Sequence, residues 1–109
     1  MTRISRTFNV LIYEAHLLGK IEKVMKLLDK HGKYFYIKHN KYDVAPHYHI
    51  YYLSNRVKTE EEVVSIFQNN VATKVFADVM RGDKQGYIEY LLGYNEYKRS
   101  DIVSTMSLK

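Results

Sequence analysis

Strand-forming and helix-forming segments alternate along this chain, and their order limits what it can fold into. Residues 8–13 (FNVLIY), 34–39 (YFYIKH) and 47–53 (HYHIYYL) are dense in β-branched and aromatic residues, which pack well on a pleated surface. Between the first two lies a helical stretch over 20–31, with Ile21, Val24, Met25 and Leu28 at helical spacing and Gly32 placed to end it. A polar connection over 40–46 holds the only proline, Pro46.

Thr59-Glu60-Glu61-Glu62 is a capping box: Thr59 can accept from the amide of Glu62, whose carboxylate reaches back. Three glutamates also suit the positive end of a helix dipole. This acidic run is therefore read as the start of a helix reaching about Asn69, not as catalytic machinery. Residues 74–80 read as a fourth strand. Arg81-Gly82-Asp83 reads as a turn rather than an adhesion motif, with Asp83 as N-cap of a helix over 84–92 and Gly93 at its end. The polar tail after Tyr97 is expected to be loosely held.

The order β-α-β-β-α-β-α contains no repeat and no linker. It predicts an α+β fold: an antiparallel sheet of about five strands with helices packed on one side, of ferredoxin-like or RRM-like type. One sheet face is then open or covered only in part. A length of 109 residues suits a single domain spanning 1–109.

Composition narrows the chemistry. The chain has no cysteine, which excludes disulfides and thiolate zinc sites. A metal here needs histidine and carboxylate ligands. Eleven tyrosines are many for this length, and exposed ones can stack on a flat ligand such as a base. A net charge of +5 is compatible with a phosphate-backbone partner. No apolar run approaches the roughly 20 residues of a membrane span, and the first residues lead into no secretory segment. The expected location is cytoplasmic.

Side chains on a strand alternate between faces. His47 and His49 therefore project from one face, and Tyr48, Ile50 and Tyr52 from the other. His39 shares a face with Phe35 and Ile37. If 34–39 pairs antiparallel with 47–53, then His39, Asp43, His47 and His49 converge at one end of the hairpin. Two or three imidazoles with a carboxylate suit a divalent ion such as Mn²⁺ or Mg²⁺, and Zn²⁺, Co²⁺ or Ni²⁺ are further candidates. The alternative is a set of half-exposed strand histidines with no ligand role.

On the helix over 84–92, Tyr87 and Tyr90 are neighbours beside the apolar sector of Ile88, Leu91 and Leu92. A phenol with a pKa of about 10 is a poor nucleophile at neutral pH. It can attack a phosphodiester whose phosphate is polarised by a metal. Either tyrosine can instead be packing at the edge of the core.

Four segments in order resemble the nicking domain of rolling-circle replication initiators of the HUH endonuclease superfamily, most nearly those of small Gram-positive plasmids. Residues 6–13 resemble the family's first motif. Ile37-Lys38-His39 followed by Asp43 resembles its His-then-Asp metal segment. Ala45-Pro46-His47-Tyr48-His49-Ile50-Tyr51-Tyr52 is similar to the histidine–hydrophobic–histidine motif, and Ile88-Glu89-Tyr90-Leu91-Leu92-Gly93 to the tyrosine motif. The resemblance covers nearly the whole chain.

It implies His39, His47 and His49 as metal ligands, Asp43 as a further one, and Tyr90 as nucleophile, with Tyr87 and Tyr94 as lesser candidates. Tyr94 stands four residues after Tyr90, a spacing that some two-tyrosine relatives use. Asp43 departs from the pattern, because the family's aspartate position is held by Tyr42. The Tyr-x-x-Lys motif of single-stranded DNA virus initiators is absent, since Gly93 holds the lysine position. The family's usual oligomerisation or helicase domain is not in the sequence, which fits an excised domain or a minimal enzyme.

The implied activity is metal-dependent nicking and joining of origin DNA, single-stranded or hairpin, through a 5′-phosphotyrosine. Host replication helicase and polymerase are the implied further partners, and no membrane is involved. The competing readings are an HUH transposase or relaxase, and a non-catalytic ferredoxin-like module that stacks single-stranded nucleic acid on Tyr34, Tyr36, Tyr48 or Tyr52.

Overall fold

The computed structural model describes residues 4–41, 45–68, 70–80, 83–93 and 97–105. Asp43, Tyr94, and Arg81 and Gly82 of the expected turn lie outside the described residues. The elements are β1 (Ile4–Tyr13), α1 (Ile21–Asp29), β2 (Gly32–His39), β3 (His47–Thr59), α2 (Glu60–Phe67), β4 (Phe76–Val79), α3 (Lys84–Leu92) and β5 (Val103–Ser104).

The five strands form one sheet in the order β4-β1-β3-β2-β5, and every neighbouring pair is antiparallel. The β3 strand inserts between β1 and β2, the split βαβ arrangement of ferredoxin-like folds. The α+β sheet expected from the element order is therefore present.

Burial divides the molecule into two layers. Phe8, Val10 and Ile12 of β1 and Tyr48, Ile50 and Tyr52 of β3 point to one face, where they pack with Val24 and Leu28 of α1 and Val63 and Phe67 of α2. The alternate residues, Phe35 and Ile37 of β2 and Tyr51 of β3, point to the other face and pack under Tyr87, Ile88 and Leu91 of α3. Two helices thus cover one face, and α3 gives the second face its partial cover.

Local signals account for the helix starts. Thr59 Oγ1 accepts from the Glu62 amide at 3.1 Å, and the Glu62 carboxylate accepts from the Thr59 amide at 3.0 Å, which is the expected capping box. Asp83 Oδ1 accepts from the Gly86 amide at 2.7 Å and starts α3.

Three expectations need correction. Gly32 does not cap α1, whose C-cap is Lys30; it opens β2 at φ +155°, where a Cβ would overlap the Leu53 carbonyl oxygen. The histidine strand does not stop at Leu53 but runs to Thr59. Its polar continuation pairs with the start of β1 across a register shift between Ser5 and Thr7, and Arg6 Nε donates to the Ser54 carbonyl at 3.2 Å.

The tail is not loose over 97–105. Tyr97 and Ile102 are buried in the second layer, β5 pairs with β2, and the Thr105 amide donates to Tyr34 O at 3.0 Å. Two buried apolar anchors outweigh the polar composition around them. Among the described residues no helix is long and apolar enough to cross a membrane.

Candidate metal centre

The β2–β3 register sets His39 directly opposite His47 and Ile37 opposite His49. All three imidazoles therefore rise from the α3 face at one end of the hairpin. Their ring centroids lie 5.3 Å (His39–His47), 4.5 Å (His39–His49) and 4.9 Å (His47–His49) apart. One ligating nitrogen from each lies within 4.8 Å of the others. Asp43, the carboxylate expected beside them, falls outside the described residues.

Hydrogen bonds orient two of the rings. His47 Nδ1 lies 2.6 Å from the Ala45 carbonyl oxygen, and His39 Nε2 lies 2.8 Å from that of Leu91. A carbonyl can only accept, so each of these nitrogens carries the proton. The lone pair then sits on His47 Nε2 and His39 Nδ1. Outer contacts of this kind fix the tautomer of metal-binding histidines. Leu91 is in the last turn of α3, where carbonyls lack intrahelical donors; His39 supplies one.

The surroundings of His49 favour its neutral form. Burial, then the charges of His39 and His47, push its pKa down to about 4. It is neutral at pH 7, the form that ligates metal. Its Nδ1 is buried with no hydrogen-bond partner among the described residues, a condition that costs about 1–3 kcal/mol. An orphaned, neutral imidazole nitrogen next to two rings of fixed tautomer fits a divalent-cation site with three nitrogen donors.

The α3 helix brings the tyrosines to this centre. Ile88 and Leu91 are fully buried and hold the helix on the sheet. Gly93 ends it at φ +48°, a left-handed conformation that glycine adopts without steric cost.

Tyr90 is 67% exposed, and its ring stands edge-on to His49 at 6.2 Å and 87°. Tyr87 is buried against Phe35 and Tyr51 and donates its hydroxyl hydrogen to Asn9 Oδ1. Burial first, then Tyr90, drives its pKa up. Tyr87 is thus a packed, neutral phenol, and Tyr90 is the accessible one. Tyr94 lies outside the described residues.

Sequence reasoning missed Tyr97. Its ring stacks on His39 at 4.6 Å and 24°, and its hydroxyl oxygen accepts from the amides of Asn40 (3.0 Å) and Lys41 (3.1 Å). The Lys41 ammonium stands 4.5 Å from the ring centre. Tyr97 so ties the ring of His39 to the start of the loop that carries Asp43. Nothing in its spacing marks it among eleven tyrosines. Asn9, the acceptor for Tyr87, was missed for the same reason.

The tyrosines that a base-stacking module would need are mostly inside. Tyr34, Tyr48 and Tyr52 are 5%, 6% and 0% exposed, and Tyr36 packs edge-on to Tyr48 against the same core. The chain matches no model of a known protein family and no curated protein.

Proposed function

We propose that this chain is a metal-dependent DNA nicking and joining domain of the HUH type, acting on single-stranded or hairpin origin DNA in rolling-circle replication. The observation that carries this reading is the meeting on one sheet face of His39, His47 and His49 with the exposed ring of Tyr90. Residues at three separate places in the sequence, in the order the resemblance requires, come together at one end of the hairpin.

His39, His47 and His49 would hold the ion, with Asp43 as the fourth protein ligand and Mn²⁺ or Mg²⁺ as the ion. When bound, a divalent cation supplies a Lewis acid that polarises the scissile phosphate. The chain's own residues do the rest. Leu91 O and Ala45 O keep the ring tautomers in the ligating form. Tyr90 attacks phosphorus, forms the 5′-phosphotyrosine bond and releases the 3′-hydroxyl. Its phenolic proton leaves to solvent, since the side chain is open to water. The phosphotyrosine preserves the bond energy for rejoining. Tyr87 holds α3 in place through Asn9. In this reading the domain works in the cytoplasm beside the host replication helicase and polymerase.

The test is intact-protein mass spectrometry after incubation with a suicide oligonucleotide and Mn²⁺. The wild type should gain the mass of the 5′-phosphorylated fragment, and a chelator should prevent the gain. Tyr90→Phe should lose the adduct and retain DNA binding, while Tyr87→Phe should keep the adduct. An adduct that survives Tyr90→Phe removes Tyr90 from the mechanism and moves attention to Tyr94.

A further inference from the structure

The end of the sheet remote from the histidines holds a second concentration of charge. A cleft of about 490 Å³ opens there between the end of α1 and the flank of α2, with Asn55, Arg56 and Lys58 of β3 lining it beside His31 and Glu62. Lys58 is only 2% exposed. It makes no hydrogen bond or ion pair among the described residues; its electrostatic neighbours are Arg56, which repels it, and Glu62. The stem is buried while the ammonium reaches the surface of the cleft, as long cationic side chains commonly do. Burial, then Arg56, holds its pKa below the usual lysine value.

Arg56 is bound to Glu62 at 3.0 Å, yet its side chain stays 63% exposed at the cleft. On the other side of Asn55 a second cleft of about 370 Å³ is lined by Arg6, Lys30 and Lys33 with Asp29. Five cations here face two carboxylates, Asp29 and Glu62. The residues lining the two clefts thus sum to +3, with Glu60 and Glu61 of the first turn of α2 standing outside the lining. Such a concentration of one sign raises the local density of polyanions.

We infer that this end of the domain binds the phosphate backbone of a nucleic acid, with Lys58 and Arg56 as the central contacts. A phosphodiester gives Lys58 the direct ion pair that Glu62, which already binds Arg56, does not make with it, and Arg6, Lys30 and Lys33 extend the same charge along the strand. The register shift in β1–β3 serves this use, because such irregularities re-aim side chains at the rim of a sheet. Nine residues of β3 separate Lys58 from His49, about 30 Å at 3.3 Å per residue. The surface is thus distinct from the histidine centre and does not depend on its chemistry.

The test is fluorescence anisotropy of a short labelled DNA duplex across a salt titration, in chelator, so that neither metal nor cleavage contributes. Lys58→Met keeps the buried stem and removes the charge. Arg56→Gln does the same at an exposed position. Each should weaken binding about threefold to tenfold at low salt and reduce the slope of log affinity against log salt by about one.

Lys20→Gln, at the other end of α1, is the control and should change both much less. Thermal melting establishes that each variant is folded, and if Lys58→Met is not, Arg56→Gln decides alone. Unchanged affinity and slope in folded variants would overturn the inference. So would an equal loss in Lys20→Gln. A protein that forms no covalent adduct can still pass this test, so the two proposals fail separately.

Discussion

Acidification should destabilise this fold through His49, and the size of the loss follows from its surroundings. The ring titrates near 4 in the folded chain and near 6.5 when freed. Between those values the unfolded chain takes up a proton that the folded chain refuses. Each pH unit in that window removes about 1.4 kcal/mol of stability, or about 3 kcal/mol over the whole interval. The contribution is fully present above pH 6.5, falls away as pH drops toward 4, and loses nothing more below. Against a domain stability of about 5–15 kcal/mol that is a large share.

The assay is urea unfolding in chelator at a series of pH values, for the wild type and for His49→Gln. The variant keeps a polar side chain of similar size and has no proton to take up. Wild type should lose about 3 kcal/mol more than the variant between pH 6.5 and 4. Parallel stability curves would refute the reasoning, because they would mean that His49 accepts its proton in the fold as easily as out of it.

Three further outcomes are expected. A divalent cation in excess should raise the melting temperature at pH 7, since a ligand that binds only the native state stabilises it by mass action; His47→Ala should remove the rise. Tyr97→Phe should cost about 0.5–1.5 kcal/mol, because the exposed Asn40 and Lys41 backbone amides exchange its hydroxyl for water; it should also weaken cation binding in calorimetry, and unchanged affinity would confine Tyr97 to a packing role. Gly32→Ala should cost more than about 2 kcal/mol in urea unfolding, because the added methyl meets the Leu53 carbonyl and the backbone sits at positive φ; a loss below about 1 kcal/mol would contradict that geometry.

Much of the frame was readable because its signals are local. Alternation along 47–53 put His47 and His49 on one face, and the hairpin brought His39 opposite His47. Thr59 and Glu62 announced their own helix, as did Asp83. What stayed hidden depends on tertiary partners. The strand pattern stops at Leu53, yet β3 runs on because Ser54 pairs with Gly32 of β2, the Asn55 amide donates to His31 O, and Lys58 and Thr59 pair again with β1. Tyr97 and Ile102 are isolated apolar residues in a polar tail, and only the hollow beside His39 and under α3 shows why they matter.

The periodicity of α3 named its buried stripe but not which side of the sheet would receive it. Tyr87 and Tyr90 sit on the same helix edge, so spacing could not rank them. Depth does: one phenol is bonded to Asn9 and the other is open.

The two-layer division of the core implies unequal lifetimes for its parts. Among the described residues, fourteen buried ones make up the layer under α1 and α2, and eight the layer under α3. The thinner layer should open first and more often, as a unit, while the strands stay paired. His47 and His49 ride on the central strand and remain with the thicker layer. Tyr90 rides on the lid. Amide exchange should therefore be faster in α3 than in β3, with the tyrosine periodically lifted from imidazoles that do not move with it.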